Sequence, residues 1–408
     1  MSRRHLFLAA TSAALGELNL ARQVADDLIA HGDEAVFLAP RALAFLFEGT
    51  PVRHVAIDDA LPNLPDALPR LVQREKGDSL VLVDLTSVFV TLETVWATDA
   101  DFLLRLPLPV VALDVWDLPE TDLRWDFGTD ALAISPRALE IGRRLVPVPF
   151  ARPLPDGVHY AALPALEAPS DALKAELRGE LGLSAEDRLV LLLSSRWQLP
   201  EAQLWKHHQR LARHVPTLAL EAAAAAGPRV HVAHVGPQPF AGAEVMEGRY
   251  HHLAQLRPQR FQALLGAADA LLTFNTSATS TLSALAAGLP VVLAVNSRSG
   301  RTVEDVVAAL PAPPAAPVLR WLTSVVPLYP FRVWPLGLHG LLTPVLRDNP
   351  FLESVRTVEV LDWDALTGSL RALLFDAVAR DEARQAQASY RATVRRLPGP
   401  AAALLPQL

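Results

Sequence analysis

The feature that most constrains this sequence is a repeated alternation of short apolar stretches with longer stretches of helical spacing. The first apolar stretch runs from Arg4 to Ala10, and a helix is predicted from about Leu18 to Ala30. The segment "HGDEAVFLAP" then supplies a glycine stop and a second apolar strand. Strands that are apolar on both faces and separated by helices predict a parallel sheet covered on both sides. We therefore expect an α/β protein.

The same alternation continues along most of the chain, with one interruption. Proline becomes dense and the periodicity disappears between Leu145 and Asp171, which predicts a linker between two domains. The further predicted strands are 51–57, 79–86, 109–115 and 131–135 before the linker, and 189–197, 229–236, 250–256, 270–275 and 291–297 after it.

This pattern predicts two doubly wound, Rossmann-like domains with parallel sheets. The predicted divisions are a first domain at 1–150, a linker at 151–174, a second domain at 175–362 with a Pro- and aromatic-rich insertion at 311–350, and C-terminal helices at 363–408.

Composition excludes several classes of function. The 408 residues carry a net charge of -7 and no run of Lys and Arg, so no nucleic-acid partner is expected. Cysteine is absent, which excludes disulfides and thiolate sites and favours a cytoplasmic location. The apolar run from Leu6 to Ala10 is short for a signal peptide, and no apolar stretch is long enough for a transmembrane segment. The histidines show no metal-binding spacing, so no metal site is predicted.

One stretch concentrates hydroxyl side chains at a predicted helix start. "TFNTSATST" places six of them in nine residues, directly between an apolar strand and a helix expected from Thr279 to Ala287. Helix N-termini that follow parallel strands suit phosphate groups, because unpaired N–H groups point outward there. The alternative is that one Ser or Thr simply caps the helix.

The residues around this helix resemble the donor-binding domain of nucleotide-sugar glycosyltransferases of the GT-B architecture. "LRPQRFQALLGAADALLTFNTSATSTLSALAAGLPVV" has the order and spacing of that family, with the pair Pro258 and Gln259 before a helix and Gly288 and Pro290 at the end. The resemblance covers about residues 175–295 well and the first β-α-β unit weakly. It implies two domains that face a cleft, and an enzyme of hexosyltransferase type. A nucleoside diphosphate sugar would be its co-substrate, with no permanently bound cofactor.

The donor site departs from the family pattern at three positions. Asn275 stands where many members have a phosphate-binding histidine, and Ser283 where many have a glutamate that binds the ribose. Ser277, with Ala278 beside it, replaces a glycine that lets the loop approach the diphosphate. The donor-site residues that we expect are Ser195, Arg196, Gly236, Arg257, Asn275, Ser277, Thr279, Ser280 and Thr281. Arg196 is the expected cation for the diphosphate, with a surface ion pair as the alternative.

The acceptor is expected at the first domain. The loop "TSAALGELN" takes the place where inverting members have their catalytic base, and Glu17 is the candidate. The alternative is that Glu17 merely favours the helix start electrostatically. Asp114 and Asp84 are further candidates at strand ends. Residues expected to position or enclose the acceptor are Ser12, Asn19, Trp116 and, in the Pro- and aromatic-rich insertion, Trp321, Tyr329, Phe331, Trp334 and His339. The insertion aromatics would equally suit a lid core or a homodimer contact.

Two functions remain open from the sequence. The first is transfer of a sugar to a small-molecule or peptide acceptor, in natural-product biosynthesis. The second is a GT-B protein without catalysis that binds a peptide or metabolite, which Asn275 and Ser283 favour. A sugar-nucleotide epimerase or hydrolase on the same frame is a third option, because one fold hosts many functions.

Overall fold

The computed structural model describes residues 2–12, 15–126, 131–164, 170–194, 208–254, 256–276, 278–298, 300–325 and 339–408. The strands of the first half are β1 (Arg4–Leu8), β2 (Glu34–Ala39), β3 (Arg53–Ala56), β4 (Ser79–Leu82), β5 (Val110–Leu113), β6 (Arg124–Asp126), β7 (Ala131–Ala133), β8 (Arg144–Val148) and β9 (His159–Ala161). The strands of the second half are β10 (Arg188–Leu193), β11 (Val230–Val235), β12 (Tyr250–Leu253), β13 (Ala270–Thr273), β14 (Val291–Val295) and β15 (Arg356–Glu359).

Helices connect these strands throughout both halves. They are α1 (Leu15–Ala30), α2 (Leu64–Glu75), α3 (Leu85–Val90), α4 (Asp171–Glu180), α5 (His208–Ala226), α6 (Pro258–Ala267), α7 (Thr279–Ala287), α8 (Val303–Ala308), α9 (Ala316–Val325), α10 (His339–Leu346), α11 (Trp363–Phe375), α12 (Ala377–Val394) and α13 (Pro400–Leu404). Among the described helices, none is long and apolar enough to cross a membrane.

The strands form two parallel sheets, which confirms the predicted fold class. The first sheet has seven strands in the order β3-β2-β1-β4-β5-β8-β9, and the second has six in the order β12-β11-β10-β13-β14-β15. All neighbouring strands within both sheets are parallel. In each sheet the chain adds strands first on one side of its first strand, β1 or β10, and then on the other side. The strand order therefore reverses next to that strand. Ligands of such sheets bind at the carboxyl ends of the strands near that reversal.

Five strands, β6, β7, β8, β9 and β15, were not predicted in the places where they lie. The strand predicted at 131–135 does not join the parallel sheet, because β7 pairs with β6 in an antiparallel hairpin. The position beside β5 belongs instead to β8, followed by β9, which lies inside the predicted linker 151–174. The last strand, β15, lies at the edge of the second sheet and has the sequence RTVE. Because only one of its side chains is apolar, the sequence pattern did not predict it.

Buried apolar side chains cover both faces of the second sheet. One cluster joins the sheet to α5, α9 and α11, and includes Trp321, which is 4% exposed. The other cluster joins the opposite face to α4, α6, α7 and α12. Trp321 therefore packs in a core against α5, as the alternative interpretation of the insertion predicted for it. Tyr329, Phe331 and Trp334 lie outside the described residues, as does the side chain of His339.

The two halves are tied together at several separate places. Leu341 and Leu342 of α10 belong to the core of the first domain, and α10 contacts β6. Ala401, Ala403 and Leu404 of α13 join the same core, where α13 packs against α1. Two segments from the second half of the chain, α10 and α13, therefore complete the core of the first domain.

A buried asparagine holds the crossover between the domains. The side-chain amide of Asn349, which is 4% exposed, donates to the carbonyl of Phe150 at 2.9 Å. Its side-chain oxygen accepts the N–H of Phe351 at 3.0 Å. Since both polar ends are used inside the protein, the asparagine joins residue 150 to the turn that precedes β15.

We expect Asn349→Ala to lower the free energy of unfolding by about 1–3 kcal/mol, because buried backbone groups lose their partners. Asn63→Ala is the control, since Asn63 is exposed and bonds only to Asp66; its effect should stay within about 0.5 kcal/mol. Urea unfolding of both variants measures the difference. Equal losses would contradict the assignment.

Candidate functional site

The first turns of α1 and α7 meet between the two domains. A Cβ atom added to Gly16 would lie 2.8 Å from Oγ1 of Thr279, so only glycine permits the observed approach. Leu282 of α7 belongs to the same buried apolar cluster as Leu18 of α1. Both helices follow the carboxyl end of a central strand, β1 or β13. Their N-termini therefore lie next to each other, at the contact between Gly16 and Thr279.

The N-cap residue of α7 provides no side-chain cap. That residue is Ala278, which has no oxygen to accept a hydrogen bond, so this side chain does not provide the predicted Ser or Thr cap. Thr279 lies against Gly16, and Ser280 is partly exposed. Thr281 is 1% exposed, and its hydroxyl has no hydrogen-bond partner among the described residues. An uncapped helix start with a buried, unsatisfied hydroxyl suits an anion.

Three of the remaining predicted donor residues, Gly236, Arg257 and Asn275, are described by the structure. Gly236 follows β11, where an added Cβ would lie 2.0 Å from the Ser194 hydroxyl oxygen. Asn275 is buried at the end of β13, whereas Arg257 is exposed at the start of α6. Ser195, Arg196 and Ser277 lie outside the described residues.

Two carboxyl groups lie at the end of the first sheet closest to α7. Glu17 is in the first turn of α1 and is partly buried. Asp84 follows the adjacent strand β4 and is 2% exposed. Its oxygens cap α3 by accepting the N–H groups of Thr86 at 3.2 Å and Ser87 at 3.0 Å, together with the Ser87 hydroxyl. Asp84 is therefore held by these hydrogen bonds. Glu17 lies in the first turn of α1, the helix whose start contacts α7.

Burial makes both carboxyl groups weaker acids than usual. Loss of water around the Glu17 carboxyl, with the negative charge of Asp84 as a second cause, raises the pKa of Glu17 to about 7. Burial likewise raises the pKa of Asp84 to about 6, despite its hydrogen bonds. A carboxyl group with a pKa near neutrality suits proton transfer at physiological pH.

Asp114 has a structural environment. It is fully buried, accepts the N–H of Leu118 with both oxygens, and pairs with Arg144 at 2.6 Å. Burial raises the pKa of Asp114 even though the Arg144 guanidinium opposes this effect. Because its oxygens are already bonded inside the protein, this geometry argues against Asp114 as the acceptor's base.

A second ion pair extends this buried network. Arg144 also lies 3.2 Å from Asp117, whose other oxygen lies 3.4 Å from His159. Burial opposes the charge of Asp117, but His159 and Arg144 outweigh it and lower the pKa of Asp117. The network joins the loop after β5 to the first residues of β8 and β9, a set that sequence spacing does not reveal.

The side chains of the predicted acceptor residues differ in how exposed they are to solvent. Trp116 is 4% exposed and packs against Phe150 with ring centroids 5.9 Å apart, so it belongs to the core and does not line an open cleft. Ser12 is partly exposed, and Asn19 is exposed on α1. Ser12 and Asn19 are therefore the described members of this set with accessible side chains near Glu17 in the chain.

An arginine that the sequence interpretation missed lies at the end of β14. The N–H of Arg298 donates to the side chain of Asn296 at 2.9 Å, while Ser297 bonds to Glu359 on the neighbouring strand. The Nε atom of Arg298 is shielded from solvent and has no hydrogen-bond partner among the described residues. An unsatisfied buried guanidinium N–H is costly, and an oxyanion would satisfy it. The available signal was a cation directly after an apolar strand.

The described residues contain no group of three His, Asp or Glu side chains arranged to hold a metal ion. Metal independence remains an expectation from the sequence.

A family model described as a family of unknown function (DUF6365) matches residues 24–405. No curated protein sequence matches the chain. Among solved structures, the spinosyn forosaminyltransferase SpnP is similar at a TM-score of 0.55 and 14% identity, over 100% of this chain and 98% of that one. A glycosyltransferase from Rickettsia africae ESF-5 is similar at a TM-score of 0.52 and 11% identity, over 99% and 96% of the two chains. A sucrose-phosphate synthase from Thermosynechococcus elongatus is similar at 0.52 and 15%, over 99% and 97%.

These similarities extend over both domains. At such low identity they establish the GT-B architecture, and the fold does not by itself specify the reaction.

We expect Glu17→Gln to stabilise the protein at pH 8 more than at pH 5. The folded protein holds the Glu17 proton between pH 4.5, its ordinary value, and about 7, so wild-type stability falls as pH rises through that range. Glutamine removes this dependence, and the gain at pH 8 is on the order of 1–2 kcal/mol after allowing for partial exposure.

Thermal unfolding at both pH values measures this effect, with Glu48→Gln as the exposed control. A Glu17→Gln variant whose stability relative to wild type is the same at pH 5 and pH 8 would contradict the raised pKa.

Proposed function

The chain belongs to the DUF6365 family and has the GT-B architecture, and we propose that it transfers a sugar from a nucleoside diphosphate sugar to an acceptor in the interdomain cleft. The observation that carries the proposal is the meeting of two helix starts. One bears Glu17, with a pKa near 7, and the other is the uncapped start of α7. A base for the acceptor and a positive helix end for the diphosphate therefore lie at the same place.

The proposed reaction assigns one step to each side of the cleft. Glu17 accepts the proton of an acceptor hydroxyl as its oxygen forms a bond to the anomeric carbon of the sugar. The bond between that carbon and the diphosphate oxygen breaks, and the nucleoside diphosphate leaves with the electron pair. The N–H groups of α7 stabilise the negative charge of the leaving diphosphate. Asp84 raises the basicity of Glu17 through its charge.

The surroundings of Arg298 and the similar structures support a choice of donor and acceptor class. Arg298 supplies a cation for a donor oxyanion at the end of β14. We propose a hexosyl donor and a small-molecule or peptide acceptor in natural-product biosynthesis; SpnP is named for transfer to spinosyn. The proposed enzyme is cytoplasmic, forms a homodimer and works without a metal.

A second candidate is a protein of this fold that binds a metabolite or peptide without transferring a sugar. Thr279 lies against Gly16, so α1 already covers part of the α7 start. Asn275 and Ser283 also replace family donor residues. The two candidates differ in whether a nucleotide binds.

Thermal-shift measurements with UDP, dTDP and GDP separate these candidates. We expect one nucleotide, at about 100 times its dissociation constant, to stabilise the protein by about 2.7 kcal/mol. Arg298→Gln should weaken that binding roughly tenfold to a hundredfold, because an ionised donor is lost. Arg301→Gln in the same loop is the control, since Arg301 is exposed. A response to a peptide or apolar metabolite and to no nucleotide would favour the second candidate.

We expect Glu17→Gln to reduce kcat by roughly 10²–10⁴-fold with the nucleotide affinity unchanged, because only the base is lost. In the wild type the rate should rise with pH through about 7, as the Glu17 carboxyl loses its proton. Sugar transfer or slow donor hydrolysis provides the readout. Full activity in the variant would exclude Glu17 as the base.

A further inference from the structure

A chain of hydrogen-bonded polar side chains, with the buried His234 at its centre, ends at Ser194, directly after the central strand β10. The Ser194 hydroxyl lies 2.7 Å from Nε2 of His234, and Nδ1 of the same ring lies 2.7 Å from the hydroxyl of Tyr250. The Tyr250 oxygen also accepts the N–H of Phe240 at 2.8 Å. His234 is fully buried, so both of its ring nitrogens are satisfied inside the protein.

The hydrogen-bond partners favour one arrangement of the protons in this chain. The Tyr250 hydroxyl oxygen already accepts from Phe240, and its own proton needs an acceptor, which the Nδ1 lone pair provides. Nδ1 is then unprotonated, and Nε2–H donates to Ser194. Because the Ser194 oxygen accepts from the ring, its own proton is left to be donated elsewhere.

The surroundings hold this arrangement rigidly. The His234 ring stacks on Phe240 with centroids 3.6 Å apart. A Cβ on Gly236 would lie 2.6 Å from Nε2 of His234 and 2.0 Å from the Ser194 oxygen, so the contact requires glycine there. Nε2 of His252 lies 2.7 Å from the Gly236 carbonyl. Burial, with nearby His252 as a smaller cause, lowers the pKa of His234 to about 3, so the ring stays neutral.

We propose that His234 and Tyr250 form a relay that orients the Ser194 hydroxyl as a hydrogen-bond donor to an oxygen of the nucleotide donor. Ser194 is partly exposed and lies at the carboxyl end of the strand next to β13, which leads to α7. An acceptor-only group such as a phosphate oxygen fits a hydroxyl whose proton is still free to be donated. His234 and Tyr250 are positioning residues in this scheme, which rests on the proposed function for the identity of the ligand.

The tautomer of His234 tests the relay without any ligand. Long-range nitrogen–proton NMR spectra, with His234→Gln for assignment, should show an Nε2-protonated neutral ring at pH 7. Tyr250→Phe should release the preference for that tautomer, because Nδ1 loses its donor. A ring protonated at Nδ1 in the wild type would overturn the proposal.

A double-mutant cycle tests the connection to the ligand, with UDP, dTDP or GDP as the probe. Ser194→Ala should weaken nucleotide binding about tenfold, and Tyr250→Phe severalfold by misorienting Ser194. The double variant should be no weaker than Ser194→Ala, since Tyr250 acts only through Ser194. Tyr160→Phe is the control, because that buried hydroxyl has no partner among the described residues.

Additive losses, or no loss in Tyr250→Phe, would overturn the relay while leaving sugar transfer intact. If the wild type bound none of the three nucleotides, the sugar-nucleotide proposal would be rejected. The ligand assigned to Ser194 would be rejected with it. The tautomer spectrum would then still decide the proton arrangement by itself.

Discussion

The contact between Gly16 and Thr279 is the constraint on which the cleft depends. In a parallel sheet all strands end at the same edge, and the helices that follow begin there. Each half of this protein directs one such helix start toward the other half. The absence of a side chain at residue 16 lets the two starts touch, and Glu17 follows in the same first turn of α1.

The two sheets use their polar edges differently. On the first sheet, Asp114 and Asp117 are neutralised by Arg144 and His159, whereas Glu17 and Asp84 have no cation partner among the described residues. On the second sheet the polar side chains include the Ser194 hydroxyl, the buried His234 and Arg298, with Glu359 bonded to Ser297. Carboxyl groups without a cation partner among the described residues thus lie on the first sheet, and the hydroxyl and guanidinium groups lie on the second.

Local patterns in the sequence were sufficient for much of this architecture. The helix α7 runs from Thr279 to Ala287 as predicted, because Gly288 ends it in the left-handed conformation at φ 71°. The central strands β1, β4, β5, β10, β13 and β14 were predictable because they are apolar on both faces. The edge strand β15 was not, because one of its faces needs no apolar cover.

The candidate site was less accessible to sequence reasoning. A position at a strand end was predictable for Asp114, but its enclosure by Arg144, 30 residues away, depends on packing. The relay from Tyr250 to Ser194 joins three neighbouring strands and has no characteristic spacing. Long-range pairs of this kind follow from strand order, which a linear pattern leaves undetermined.

The return of α13 to the first domain bears on how the polypeptide reaches its native state. Ala401 donates its N–H to Asp27 at 2.8 Å, and its neighbours fill a gap in a core otherwise built from the first half. During synthesis the amino-terminal half emerges first, yet that core stays incomplete until residues near 400 have left the ribosome. Folding of the two domains is therefore interdependent, because the core of the first domain is completed only by residues near the end of α13.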